Sequence, residues 1–474
     1  MSLLTHKDTV DMIGKDNPTP KEGKTFYIRT FGCQMNVHDS ERMSGLMSEA
    51  GYTPVSEASD ASVILVNTCT VRDKADQKAL SDIGRLRSVA DDGHSRHLVV
   101  TGCMAEREGK ELFRMVPDID LVMGPSQIRN LIPLLEKVEK GAHKVMGRDL
   151  PPAPLETPPA TRPPGIMAYV TIQEGCDKSC AYCVVPTTRG PEISRTIPDI
   201  KKEVEQLVRD GYREVTLLGQ NVNAFGIKEG TSLANLMRAL DEVDDLSRIR
   251  FTTSHPRDMS VDLIRAMKDV KKVMPHFHLP MQSGSDAVLA RMNRGYTRTE
   301  YARWIDHLRQ EIPGIAITTD LIVGYVGETE EEFEETLSAV EEFSFDGAFS
   351  FIYSPRPSTP AEKLEGTPER DVSVARLNRL QKRIEELVHE KNSAHIGQII
   401  EILVDRADPE TGAVFGRAPW FQNVRAQSSF TWNAPSLQKL LPSQGSIARV
   451  RIMETTRSGF KGEWVTELAA GISR

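Results

Sequence analysis

Cysteine is scarce in this sequence, with six in 474 residues, which excludes the disulfide framework of a short secreted domain. Positive charge is not in surplus either. Lysine and arginine number 59 against 67 acidic side chains, a formal charge of −8. The chain as a whole therefore does not attract nucleic acid, and an RNA partner has to be held by local patches. No apolar run approaches the ~20 residues that span a bilayer. The opening residues, MSLLTHKDTVDMIGKD, hold no apolar core followed by a cleavage site. These absences predict a soluble, cytoplasmic protein with no membrane partner, a monomer is expected, and the length points to roughly two to four domains.

What is present divides by cysteine spacing. Cys33, Cys69 and Cys103 stand 36 and 34 residues apart, whereas Cys176, Cys180 and Cys183 crowd into eight residues. Residues 1–22 are polar and without period, and are expected to be a disordered tail. From residue 23 to 150 the pattern alternates β and α. TFYIRTF, ASVILVNTC and HLVVTGC read as strands, each with a cysteine at or just beyond its C-terminal end, and 39–50 reads as a helix opened by a capping Asp or Ser. An open parallel α/β sheet follows, and ligands collect at that sheet edge. Free cysteines filling a core are the plain alternative, although polar residues follow each of the three.

Residues 151–165 are rich in proline and predict a stiff linker. From 166 to 393 about six strand–helix units predict a partial TIM-like (β/α)6 barrel. Within it, helix 198–210 shows an apolar face of Ile200, Val204, Leu207 and Val208, and 371–393 reads as a charged amphipathic helix. From 394 to 474 the period falls to two, which predicts a small antiparallel β-barrel. The fold class is thus multidomain α/β plus β.

The segment EGCDKSCAYCVVP spaces its thiols by four and three. One short loop can wrap three corners of a cubane iron–sulfur cluster, leaving the fourth iron without a protein ligand. That open iron suits the amino and carboxylate groups of S-adenosylmethionine (SAM). A zinc loop is the alternative. Structural zinc takes four ligands, usually as two CxxC-type pairs, and without a fourth nearby cysteine His255 and His278 would have to complete the set. Gly219, Gln220 and Asn221 end the second barrel strand, Ser254, His255 and Pro256 the third, and Gln282, Ser283 and Gly284 the fourth. Together they line one barrel mouth.

The CxxxCxxC loop after the strand that opens an α/β barrel resembles the radical SAM superfamily. The resemblance puts Tyr182 beside the adenine of SAM and makes Gly219–Asn221 a SAM-contacting turn. DLIVGYVGET resembles the superfamily's DxIVGFPGET, with Tyr325 and Val326 in place of Phe-Pro. TFGCQMNVHDSE, VNTCTVRDKA and VTGCMAE closely resemble the N-terminal domain of the methylthiotransferases, and the likeness covers residues ~24–474. CQMNxxDSE and Ser254-His255-Pro256 resemble the tRNA branch, which acts on isopentenyladenosine beside the anticodon. The ribosomal-protein branch usually reads CPKNxxDSE.

By this resemblance Cys33, Cys69 and Cys103 hold a second 4Fe-4S cluster that supplies sulfur, and SAM serves both as methyl donor and as radical source. A reducing electron-transfer protein and a tRNA anticodon loop are the implied partners. An adenine C–H is far too weak an acid for base chemistry at neutral pH, so a radical is called for.

Residues 394–474 carry nine basic and seven acidic side chains, a balance of +2, interleaved with Phe415, Trp420, Phe421, Phe430, Trp432, Phe460 and Trp464. Such barrels bind looped RNA, although most of these aromatics also suit a small core. The order of parts resembles the family's C-terminal TRAM barrel. GRAPWFQN matches its GRTxxNK-type segment in part, with Pro419–Phe421 inserted, and points to Arg417, Asn423 and Arg425 as RNA-binding. The glutamate run at 328–342 reads as a solvated helix face. The expected function is tRNA methylthiolation at C2 of N6-isopentenyladenosine. The alternatives are methylthiolation of a ribosomal-protein aspartate and a non-catalytic iron–sulfur RNA-binding module.

Overall fold

The computed structural model describes residues 24–70, 73–90, 96–147, 160–428, 432, 439–457 and 459–465. The expected tail, most of the expected linker and Phe430 lie outside the described residues. Strands β1 (Thr25–Thr30), β2 (Thr53–Pro54), β3 (Val63–Thr68), β4 (His97–Gly102), β5 (Leu121–Met123) and β6 (Val145–Gly147) form one parallel sheet in the order β2-β1-β3-β4-β5-β6. Unbroken apolar runs such as VILV suit a sheet covered on both faces. Ile64 and Val66 pack on one side with Val100 and Phe113, and Val63 and Leu65 on the other with Met43, Met47 and Leu134. Since β1, β3 and β4 are neighbours, the chain just beyond their C-terminal ends brings Cys33, Cys69 and Cys103 to one edge.

The helix expected over 39–50 starts earlier, spanning Gln34–Glu49 with Cys33 at the capping position and no side-chain cap. Most of its polar residues are buried, including Asn36, His38, Asp39, Ser40, Glu41 and Arg42. Several of their partners lie on distant parts of the chain, so local polarity disguised the helix's first turn as loop.

The middle of the chain holds β7 (Met167–Thr171), the short antiparallel pair β8 (Gln173–Glu174) and β9 (Ile193–Ser194), β10 (Glu214–Leu218), β11 (Arg248–Phe251), β12 (His276–His278), β13 (Ala316–Val323) and β14 (Gly347–Ile352). Six of these run parallel as two three-stranded sheets, β11-β10-β7 and β12-β13-β14, linked by a single parallel bridge from Ile249 to Val273. This is the open, partial (β/α)6 barrel expected. The helix Ile197–Arg209 buries Ile200, Val204 and Leu207, and the Thr196 hydroxyl caps it by accepting from the Asp199 N–H. The helix Arg370–Ser393 buries Leu380, Ile384 and Val388 in the same core.

Strands β15 (Ile399–Ala407), β16 (Val414–Arg417), β17 (Asn423–Ser428), β18 (Ile447–Thr456) and β19 (Gly459–Val465) close a barrel in the order β15-β16-β17-β19-β18. All neighbours are antiparallel except β17 and β19. An odd number of strands cannot alternate direction around a closed ring, so one parallel pair is forced. Phe460 and Trp464 fill this core, with Trp420 and Trp432 packed against it.

The barrel docks on the N-terminal ends of β10 and β11 through buried charge. Arg248 donates to the carbonyls of Arg417 (2.7 Å) and Glu401 (3.1 Å), and Arg250 to those of Pro419 (2.7 Å) and Ala418 (2.9 Å). Fully buried Glu214 pairs with Arg250 at 3.1 Å and with Arg417 at 3.4 Å. The inserted residues are the docking element: the Trp420 indole donates to the Gly314 carbonyl, and Phe421 lies under Arg250. Removing one member of a buried ionic set leaves its partners uncompensated, at about 3–5 kcal/mol. Glu214→Gln is therefore expected to lower stability by that order in urea unfolding followed by tryptophan fluorescence. A loss under about 1 kcal/mol would show the arginines to be satisfied by the carbonyls alone.

Candidate active site

Glycine places the N-terminal cysteines. Gly32 has φ +111°, and a Cβ there would lie 2.3 Å from the Cβ of Cys69 and 2.7 Å from its Sγ. Gly102 has φ +94°, and a Cβ would lie 2.2 Å from the Thr68 carbonyl oxygen. Only glycine tolerates both the backbone and the approach, so the chain before Cys33 and before Cys103 can close on the strand end that carries Cys69. Asn36 ties the group together: its Nδ2 donates to the carbonyls of Phe31 (2.7 Å) and Thr68 (2.9 Å), and its Oδ1 faces Cys33 Sγ at 3.8 Å. Cys69 and Cys103 are buried and Cys33 is exposed. Burial raises the Cys103 thiol, and nearby Arg189 opposes this.

The second triad sits in the loop between β8 and the helix Val185–Arg189. Burial pushes Cys176 up to about 11 and Cys183 up to about 12, and in each case neighbouring Cys180 adds to the shift. Arg294 donates from Nη1 to Cys180 Sγ at 3.2 Å, while its other nitrogens bond the Tyr296 hydroxyl and the Pro280 carbonyl. His255 Nε2 lies 3.9 Å from the same sulfur, and its Nδ1 accepts from the Arg257 N–H. That assigns the ring proton to Nε2, directed at sulfur. Burial pushes His255 down to about 2, with Arg294 adding to it. Asn223 fixes the residue by exchanging two hydrogen bonds with its backbone.

Both triads face one cavity of about 1200 Å³, lined by Cys33, Cys103, Cys176, Cys180 and Cys183. Cys69 stands behind Gly32. The cavity also takes in Tyr182, Gly219, Gln220, Asn221, Ser254, His255 and Gln282. Gln220 accepts from the Gly175 N–H beside Cys176, and Asn221 donates to Asp258, which also pairs with Lys178 of the cysteine loop. Tyr182 packs edge-on against Tyr325, so the residue that departs from the superfamily pattern supports the loop. Thr216 Oγ1, Asn221 Oδ1 and Ser254 Oγ are buried without a hydrogen-bond partner while their residues line the cavity. Three soft thiols beside unpaired polar atoms fit a thiolate-held iron–sulfur cluster carrying a polar ligand.

Two expectations are corrected. Ser283 turns away from the cavity to bond Thr336 and the Ser285 N–H. Arg417 is held by Glu214 and Asp405 at the docking interface instead of facing RNA. His278 is engaged by Thr318 at 3.0 Å and Asp320 at 3.4 Å, away from the zinc-like set considered above. Among the described residues no three His, Cys, Asp or Glu side chains are grouped to hold a single metal ion. Asn423 and Arg425 are exposed on β17, with Arg425 and Arg406 flanking the Phe415 ring at 5.7 and 4.2 Å. Sequence reading missed Asn36, Arg189, Asn223, Asp258 and Arg294. Arg189 and Arg294 each precede a glycine, but nothing in that pairing signals a sulfur contact.

The fold and the thiol loop define a radical SAM enzyme. Residues 170–340 match the radical SAM superfamily, and residues 25–124 match the uncharacterized protein family UPF0004. The fold is shared with the radical S-adenosylmethionine methyltransferase TsrM from Kitasatospora setae, solved with its tryptophan substrate and a SAM analogue bound. That likeness has a TM-score of 0.55 at 14% identity and covers 72% of this chain and 75% of that one. Relatives are more specific. The chain is 44% identical over 441 residues to the tRNA-2-methylthio-N(6)-dimethylallyladenosine synthase of Sulfurihydrogenibium sp. strain YO3AOP1, covering 92% of this chain and 98% of the relative. The synthase of the same name from Geobacter sulfurreducens is 42% identical over 450 residues, covering 94% and 98%. This chain belongs to the tRNA-2-methylthio-N(6)-dimethylallyladenosine synthase family.

At the cavity's inner wall His276 bonds Thr318 and packs against Phe421. Burial pushes its value down to about 3, and Arg250 adds to the effect. A histidine depressed below its ordinary 6.5 favours the neutral ring in the fold. Its stabilisation is complete above about pH 6.5 and is lost as the pH falls toward the folded value. His276→Gln is expected to flatten the pH dependence of the urea midpoint between about pH 6.5 and 4 by up to about one proton. An unchanged slope would mean the ring titrates as in water.

Proposed function

We propose that this chain inserts sulfur at C2 of N6-isopentenyladenosine in a tRNA anticodon loop and methylates it, giving the 2-methylthio base. The observation that carries this reading is the single cavity shared by two cysteine triads. A site that both activates a carbon and delivers sulfur needs the two within reach of one substrate atom. Cys33, Cys69 and Cys103 hold one 4Fe-4S cluster and Cys176, Cys180 and Cys183 the other. Bound there, the clusters supply sulfur and a low-potential electron for cleaving the SAM sulfonium.

The chain's residues do the remainder. Thr216, Asn221 and Ser254 offer their unpaired atoms to SAM, Gln220 fixes the backbone before Cys176, and Tyr182 flanks the adenine. His255 and Arg294 direct N–H groups at the Cys180 sulfur. Burial raises the Cys176 and Cys183 thiols, so loading a cluster that takes them as thiolates is expected to release protons and to tighten as pH rises. Aromatic C–H chemistry needs water kept out, and of the three thiols in the loop Cys180 is the buried one. On the C-terminal barrel Asn423, Arg425, Arg406 and Phe415 provide cation and stacking surface for looped RNA, and an anticodon loop already exposes its bases. A reducing electron-transfer protein completes the set, and the chain acts as a cytoplasmic monomer.

The test is anaerobic reconstitution with SAM, reductant, sulfide and isopentenylated tRNA, with nucleosides read by mass spectrometry. Alanine at Cys33, Cys69 or Cys103 is expected to abolish the methylthio product while 5′-deoxyadenosine still forms. Alanine at Cys176, Cys180 or Cys183 should abolish both. Product on a ribosomal-protein peptide would move the substrate to protein. No 5′-deoxyadenosine from the loaded wild type would leave a binding module.

A further inference from the structure

Arg189 comes from the helix that follows the second triad but ends beside the first. Its side chain is 5% exposed. Nη2 donates to Asp39 Oδ2 at 2.7 Å and to Asn36 Oδ1 at 3.0 Å. Asn36 in turn holds the backbone ahead of Cys33 and Cys69, as described above. Arg189 therefore stands where the three cysteine-bearing strand ends meet, and it lines the cavity with Cys33 and Cys103.

The local charge count leaves Arg189 underemployed. Asp39 is shared with Arg42 at 3.6 Å, and Arg42 also takes Glu174 at 2.6 Å. Arg129 acts on Glu174 as well, so the two carboxylates do not depend on Arg189 alone. Three thiolates and a cluster add negative charge to a buried place, where a nearby cation acts with little screening.

We propose that Arg189 is a positioning residue that compensates the charge of the cluster held by Cys33, Cys69 and Cys103 and raises its reduction potential. This rests on the reading that those cysteines hold a cluster. A fixed positive charge stabilises the more negative, reduced state, and hydrogen bonds and charge around cluster sulfur are among the main settings of potential. Because the arginine belongs to the SAM-binding part of the chain, the N-terminal cluster has its working potential only when the two parts are docked. Docking and redox poise are then one property.

The experiment uses the full chain with Cys176, Cys180 and Cys183 all changed to alanine, so that one cluster is titrated alone. Iron is counted first: about four per chain is expected. No iron would overturn the two-cluster reading, and the proposal with it, before Arg189 is touched. On that background Arg189→Met is expected to lower the midpoint potential followed by electron paramagnetic resonance, and Arg189→Lys to restore most of the shift. An unchanged potential in Arg189→Met with iron intact would overturn the proposal. If Arg189→Met fails to hold iron, retention by Arg189→Lys supports the charge role, and equal loss in both reduces Arg189 to a strut and overturns it.

Discussion

The helix Gln34–Glu49 has seven buried polar or charged residues, Asn36, His38, Asp39, Ser40, Glu41, Arg42 and Ser44, and the rest of the structure depends on their being satisfied. Burying an unpaired ion costs several kcal/mol, and the partners of the charged residues come from the end of the linker and from the SAM-binding part of the chain. Arg162 pairs with Glu41 at 3.2 Å, Thr171 bonds His38 at 2.6 Å, and Glu174 and Arg189 take Arg42 and Asp39. Arg162 and Arg195 both reach Glu203, extending the network into the second core. The cost is not wholly recovered: burial still pushes Glu41 up to about 7, against the pull of Arg162. Burial of this kind specifies one arrangement, because any other docking leaves ions uncompensated.

That arrangement turns two ligand-collecting sheet edges toward each other. Parallel sheets gather ligands beyond the C-terminal ends of their strands, and here both edges open on one space. The C-terminal barrel is fixed at the opposite ends of β10 and β11 by a second buried ionic set. Each end of the SAM-binding core is thus clamped by charge rather than by a greasy seam. Phe421, held at φ +85° under Arg250, shows how far the backbone is bent to make the lower clamp. Strain of this size persists only where surroundings over-determine it.

How much was legible in the sequence follows from the range of each interaction. VILVNTC and HLVVTGC announced buried strands because apolar runs are local, and the four-and-three cysteine spacing was equally local. The start of the first helix was misread because its polar residues find partners more than 130 positions away, and no local period records that. Arg417 looked like an RNA contact for the same reason, since Glu214 is invisible from its neighbourhood. Ser283 sat in a motif lining the barrel mouth but bonds Thr336 on the distant helix Glu330–Phe343. The parallel pair in the barrel was hidden until the strands could be counted, after which geometry allowed nothing else.

One consequence of the buried helix concerns time. Asp39 and its partner Arg189 are separated by 150 residues, and chains are synthesised at ~5–20 residues per second. For roughly 8–30 s the first three cysteines therefore exist on a nascent chain whose helix has nothing to close against. Afterwards, docking encloses Cys69 and Cys103 behind charge pairs. Loading iron into that site before closure meets an open sheet edge, and loading after it is confined to the cavity that Cys33 and Cys103 line. The same ion pairs that align the two triads thus set an order of events in the making of the protein.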